Sequence, residues 1–147
     1  MKCALELLAI SAEKRKENEA LEAAKKAFEL ARRKKASEAS TLKYCQTLAD
    51  IIEENASNGL NPVSISHIDC DYKNPNFAKI LIEQKGAYTD GRESFEPNDN
   101  EIDLDYLKQW FKNYCFKVET KSFEYWQYGL GKRIGEILVI EPDPDCL

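Results

Sequence analysis

Four groups of residues in this chain have types and spacings that catalysis or binding could use. In His67-Ile68-Asp69-Cys70-Asp71, alternate residues share one face of a strand, so His67, Asp69 and Asp71 would converge as metal-capable side chains. That histidine has no second in the chain. A zinc site or a histidine-dependent triad therefore lacks its other members, and a hydrogen-bonded strand-end histidine is the expected role. Glu119-Thr120-Lys121, with Asp103 or Asp105 upstream, sets an acid ahead of E-x-K. Metal-dependent nucleases of the PD-(D/E)xK type use that order, with carboxylates on Mg²⁺ and a lysine on the attacking water. No Pro-Asp precedes it, and E-x-K is frequent in a Lys/Glu-rich chain, so a solvated strand face is the expected reading.

The third group is acidic: Asp90, Glu93, Glu96, Asp99, Glu101, Asp103 and Asp105 stand against Arg92 alone. The glycine and closing glutamate of a calcium loop are missing from it. It reads either as a solubilising loop or as a face that engages a basic partner surface. The fourth is aromatic. Nine of the fifteen aromatic residues, including both tryptophans, lie between Tyr106 and Tyr128. Tyr106, Trp110, Trp126 and Tyr128 fall off the cleanest apolar stripes, where exposed Trp and Tyr suit binding hot spots. Packing of the N-terminal helices over them is the competing reading. Gly129-Leu130-Gly131-Lys132 is too short for a phosphate loop and reads as a hairpin turn.

A chain of 147 residues that is 43% hydrophobic and 32% charged is globular, with room for one core. The halves differ in charge. Residues 1–59 carry 11 basic and 10 acidic side chains, and residues 60–147 carry 10 and 16. The acidic second half argues against general attraction to nucleic acid, so direct nucleic-acid binding is not expected. The five cysteines form no C-x-x-C pair and are odd in number, which implies neither a disulfide framework nor a zinc knuckle. With no signal-peptide pattern and no membrane-spanning run, the expectation is a cytoplasmic protein with reduced thiols and no cofactor.

The elements follow from patterning. No glycine or proline occurs from Met1 to Asn58, and the segment is rich in strong helix formers. Leu21, Ala24, Phe28 and Ala31 form a three-and-four stripe that continues through Lys35 and Glu38 to Leu42, Cys45, Ala49 and Ile52. Either one long or bent helix results, or two helices meet near Ala36–Ser40 with Ser37 or Ser40 as a cap. The two-helix or bent form is slightly preferred. Self-association, most simply a homodimer through these coiled-coil-like helices, is expected in both cases. The basic run Arg32–Lys35 reads as a solvated helix face. Asn58–Gly59 stops the helix.

Val63–Cys70 alternates as a strand, Phe77–Gln84 reads as a second strand by its aliphatic content or equally as a short helix, and a hairpin is expected across Asp90–Gly91. Asp103 is the expected N-cap of a short helix that turns Leu104, Leu107, Phe111 and Tyr114 to the sheet. After it, Phe116–Lys121, Phe123–Leu130 and Ile134–Ile140 read as three strands. The expected fold is α+β: a helical segment over 1–59, then a domain over 60–147 with an antiparallel sheet and one packed helix.

The charged helix ending in Ala56-Ser57-Asn58-Gly59, the strand after it, and Leu107-x-x-Trp110-Phe111 leading into Phe116-Lys117-Val118 give a layout that resembles small accessory proteins of bacteriophages and mobile elements, anti-CRISPR inhibitors among them. The resemblance implies a compact, acidic, non-enzymatic inhibitor of a host nucleic-acid-handling complex. The expected function is thus a protein-binding module that acts on a protein or ribonucleoprotein through Asp99, Glu101, Asp103, Asp105, Tyr106, Trp110, Trp126 and Tyr128. A metal-dependent nuclease using Glu119 and Lys121, and a nucleotide-sequestering protein, are the alternatives.

Overall fold

The computed structural model describes residues 1–81 and 101–146. The expected hairpin across Asp90–Gly91, the end of the second strand and the acidic stretch through Asp99 lie outside the described residues. The elements run α1 (Ala4–Ser57), β1 (Ser64–Cys70), β2 (Phe77–Ile80), β3 (Glu101–Asp103), α2 (Leu104–Lys112), β4 (Phe116–Gln127) and β5 (Gly131–Pro142). The fold is α+β, with a long N-terminal helix and an antiparallel sheet that carries one further helix. No described helix is long and apolar enough to cross a membrane.

α1 is a single helical element with no second start at Ser37 or Ser40. The hydroxyl of Ser40, a cap candidate, and that of its neighbour Thr41 bond sideways or backward instead. Thr41 Oγ1 donates to Ser37 O at 2.7 Å, Ser40 Oγ donates to Glu101 O, and the backbone has no breaker to exploit. The helix ends as its sequence requires. Gly59 takes φ +76°, Leu60 N–H reaches back to Asn55 O at 2.8 Å, and Gly59 N–H to Ala56 O at 3.1 Å. Those two bonds satisfy carbonyls that the last turn would otherwise orphan.

Two compact units divide the chain, Met1–Ala36 and Ser37–Leu147. The boundary falls inside α1 rather than at Gly59. In the first unit, every residue from Met1 to Glu29 is exposed. In the second, the sheet has strand order β3-β2-β1-β5-β4. Its core gathers Cys45, Leu48 and Ile52 of α1 and Leu104, Leu107 and Phe111 of α2. They meet Ile68, Ala78, Ile80, Ile102, Leu138 and Ile140 of the sheet. These sheet residues share one face by register: Ile68 lies opposite Ile80, Ala78 opposite Ile102, and Ile140 opposite Val118.

Two departures from the expected order concern strands and a third the end of α2. β3 lies within the stretch expected as acidic loop. β4 runs without a break from Phe116 to Gln127, so two strands follow α2 where three were expected. Tyr114, expected on the buried stripe, is 62% exposed because α2 closes at Lys112. Cys115 then turns the chain with φ +61°, the left-handed conformation that few residues other than glycine adopt.

The thiols depart as well. Cys115 and Cys146 form a disulfide across 31 residues, so the expectation of wholly reduced cysteines is corrected, while Cys3, Cys45 and Cys70 are free. An odd count excludes complete pairing. It does not exclude one bridge.

Candidate functional site

The acids expected to form a partner-facing surface are distributed by the fold into different roles. Asp99 lies outside the described residues. Glu101 is 2% exposed and Asp103 6%, so neither carboxylate is presented to a partner. Asp103 caps α2: its side chain accepts from Asp105 N at 3.0 Å, Tyr106 N at 3.4 Å and Asn76 Nδ2 at 2.7 Å. A carboxylate at a helix start is stabilised both by these donors and by the helix dipole. Asp105 is exposed in the first turn, where its N–H also reaches Asn76 Oδ1 at 3.1 Å.

Strand β3 itself is an edge, and α1 closes it. Asp103 N donates to Thr41 Oγ1 at 2.9 Å, and Glu101 O accepts from Ser40 Oγ. Two hydroxyls on adjacent helical positions thus satisfy one outward carbonyl and one outward N–H of a three-residue strand.

The four aromatics also separate. Tyr106 and Trp110 stand on α2, half-buried. Trp110 packs against the core, edge-on to Phe111 at 4.9 Å between centroids and tilted over Tyr114 at 5.0 Å. Phe111 reaches Phe116 at the start of β4, 6.3 Å away. Trp126 lies ten residues farther along that strand, about 33 Å at the rise of a β-strand. The aromatics therefore form two groups at the two ends of β4.

The far group is the exposed one, and strand lengths explain why. β1 pairs with β5 only from Glu136 to Ile140, whereas β4 pairs with β5 over its whole length. Residues 123–135 form a two-stranded ribbon that outruns the sheet. One face of it is braced. The ring of Phe123 lies over Gly135, where a Cβ would come within 2.6 Å of Phe123 Cζ. The same ring stacks at 5.7 Å with Tyr125 and at 6.0 Å with His67. Glycine opposite an aromatic leaves the ring a backbone surface to cover.

The other ribbon face carries Trp126, 81% exposed, and Ile134, 62% exposed, beside the 2.8 Å Lys132–Glu124 ion pair. Tyr128 and Leu130 project from the turn, Tyr128 with no cover at all. Gly129 and Gly131 hold the turn with φ +79° and +80°. A shallow depression there is lined by Trp126, Gln127, Tyr128 and the two glycines. Ile134 and Leu130 were not singled out from sequence. The available signal was the unbroken alternation of β4 set against the much shorter Ser64–Cys70.

The remaining chemistry-bearing groups are accounted for locally. Glu119 lies on the exposed strand β4 in ion pairs with Lys121 at 3.8 Å and Lys117 at 4.0 Å. Lys117 also reaches Glu141 at 3.3 Å, and this carboxylate raises its pKa. Asp103 stands on the opposite edge strand, four strand spacings or about 19 Å across the sheet from β4. Asp105 stands on α2, which packs on the sheet face of Val118 and Ile140, whereas Glu119 and Lys121 alternate onto the other face, so neither candidate acid is assembled with them. Among the described residues, no three His, Cys, Asp or Glu side chains converge on a metal position. His67 and Asp69 share one face of β1, while Asp71 is buried beyond the strand end and accepts from Lys73 N at 3.0 Å.

Cys70 is held protonated by burial and by its hydrogen bond to Glu136, and burial pushes the Cys45 thiol up to about 12. Neither is a ready nucleophile at neutral pH. A groove of about 210 Å³ lies between Ala49, Ile52 and Glu53 of α1 and Trp110, Phe111, Tyr114 and Phe116. It is smaller than the roughly 300–1,000 Å³ of most small-molecule sites. The carboxylate that lines it, Glu53, would repel a phosphate.

No protein-family profile, no curated protein and no solved structure matches the chain.

Proposed function

We propose that this protein is a non-enzymatic protein-binding module whose working surface is the β4–β5 hairpin tip. The observation that carries the reading is the exposure of Trp126, Tyr128, Leu130 and Ile134 together on a ribbon braced by Phe123 over Gly135. A soluble domain gains nothing in folding from uncovered rings, whereas Trp and Tyr on a rigid support are strong anchors for a partner pocket. The rest of the expected site is revised. Trp126 and Tyr128 remain in the proposed surface, Glu101 and Asp103 support the fold, and Tyr106 and Trp110 belong to the packing of α2. Action in the cytoplasm on a host nucleic-acid-handling complex belongs to the same proposal. It draws its support from the resemblance to small mobile-element accessory proteins.

The test is affinity capture from bacterial lysate with three baits: the unaltered protein, Trp126→Ser with Tyr128→Ser, and Asp105→Lys. A partner retained by the unaltered and Asp105→Lys baits but lost from the tip variant is the expected result. Retention by all three would overturn the assignment of the surface.

A further inference from the structure

Residues at alternating spacings of three and four trace one stripe along α1 from Leu7 through Ile10, Leu21, Ala24, Phe28 and Ala31 to Leu42, and every one of these is exposed. Such a stripe is the seam of a coiled coil. Charged residues interrupt it twice, as Lys14 with Glu17 and as Lys35 with Glu38. Both interruptions have the same order, lysine first and glutamate three residues later, and they stand at equal distances from the midpoint between Ala24 and Phe28. Lys14 and Glu17 already meet at 3.7 Å along the helix, both well exposed.

That symmetry selects a partner and a direction. We propose that α1 pairs with a second copy of this chain as an antiparallel two-helix coiled coil, in the register that sets Ala24 against Phe28 of the second copy. Each charged interruption then meets its complement: Lys14 faces Glu38 of the second copy, and Glu17 faces its Lys35. In the central turns each large apolar residue meets a small one, Leu21 against Ala31 and Phe28 against Ala24, and farther out two large ones meet, Ile10 and Leu42. Parallel, in-register pairing does the reverse. It stacks Lys14, Glu17, Lys35 and Glu38 each upon its own copy and forces Phe28 onto Phe28. Like charges along a seam disfavour association, and charged seam positions commonly fix register and orientation. The one like-charged meeting in the antiparallel register is Lys25 with its copy, on the flank near the dyad, where water and salt screen it.

A second copy also supplies what the first unit lacks. From Ala4 the unit Met1–Ala36 is helix, with Leu7, Ile10, Leu21 and Phe28 uncovered, and isolated helices draw little stability from propensity alone.

Sedimentation equilibrium of the full chain tests the pairing. A dimer is expected at micromolar concentration. Glu17→Lys and Lys35→Glu, each alone, should weaken it about tenfold or more, since each creates two like-charged seam contacts per dimer. The double variant restores opposite charges and should recover the original association, with circular dichroism confirming the helix throughout. Direction is read by oxidation in a Cys3→Ser background. Ala31→Cys alone should leave the copies unlinked, because antiparallel pairing puts the two positions about 15 Å apart along the axis. Leu21→Cys with Ala31→Cys should link them. A monomer at about 100 μM, a double charge variant as weak as the singles, or linkage through Ala31→Cys alone would each overturn the proposal.

Discussion

The two outer edges of the sheet are finished in opposite ways. β3 is three residues long, and one outward N–H and one outward C=O group are taken up by Thr41 and Ser40 of α1. β4 is twelve residues long, and no described strand lies beside its outer edge. What guards it is charge: Lys117, Glu119 and Lys121 alternate along it in weak, exposed ion pairs. Sealing an edge with neutral buried hydroxyls fixes it permanently, because removal of either partner strands a polar group. Charges discourage casual strand pairing while leaving the strand in water. The short edge thus belongs to the core, and the long one carries the exposed aromatic tip. The contrast teaches that burial of the acidic β3 stretch and exposure of the aromatic β4 stretch are parts of one solution.

Three perturbations would break or sharpen this contrast. The largest should be Cys115→Ser, which removes the bridge to Cys146 at the base of the long hairpin. For a loop of 31 residues the loss is expected to be about 3–4 kcal/mol of unfolding free energy. Chemical denaturation with and without reductant checks it, since reductant should lower the stability of the parent and leave the variant unchanged. Next is the sealed edge. Thr41→Val keeps the shape but leaves Asp103 N–H without its acceptor, at about 1–3 kcal/mol. Loss of hydrogen-exchange protection at that amide should accompany the fall in melting temperature. Least costly is the open edge: Lys121→Gln should change stability by no more than about 0.5 kcal/mol, as exposed pairs do. A Lys121 effect as large as that of Thr41 would erase the distinction between the edges.

Local signals carried much of the fold in the sequence. The absence of Gly and Pro through Asn58, the cap at Asp103 and the glycines at 129 and 131 each act within a few residues, and each element formed where they indicate. Less legible were features that depend on distant partners. Glu101 and Asp103 read as solvated acids because charged residues are seldom buried unless they are paired. Their backbone is tied to Ser40 and Thr41, some sixty positions away in the chain. Ser37 and Ser40 read as caps because side-chain back-bonding inside a helix and capping use the same chemistry. Trp110 read as open either to solvent or to cover by the helices because it flanks the apolar stripe, and its ring packs against Phe111 and Tyr114. Trp126 and Tyr128 were singled out from sequence as candidates for exposure, and both are exposed. Their separation from Trp110 depends on β4 being unbroken, and residue type says nothing about that.

Asp103 is the last residue of β3 and also the cap of α2, with no linker between strand and helix. The register of the strand therefore sets the rotational phase of the helix, as a tooth sets the angle of a gear. A single residue inserted after Asp103 would turn α2 by about 100° and carry Leu107 and Phe111 away from the sheet. Substitutions on the outer face of α2 can accumulate freely, whereas a change of length at this junction cannot be absorbed by either neighbour.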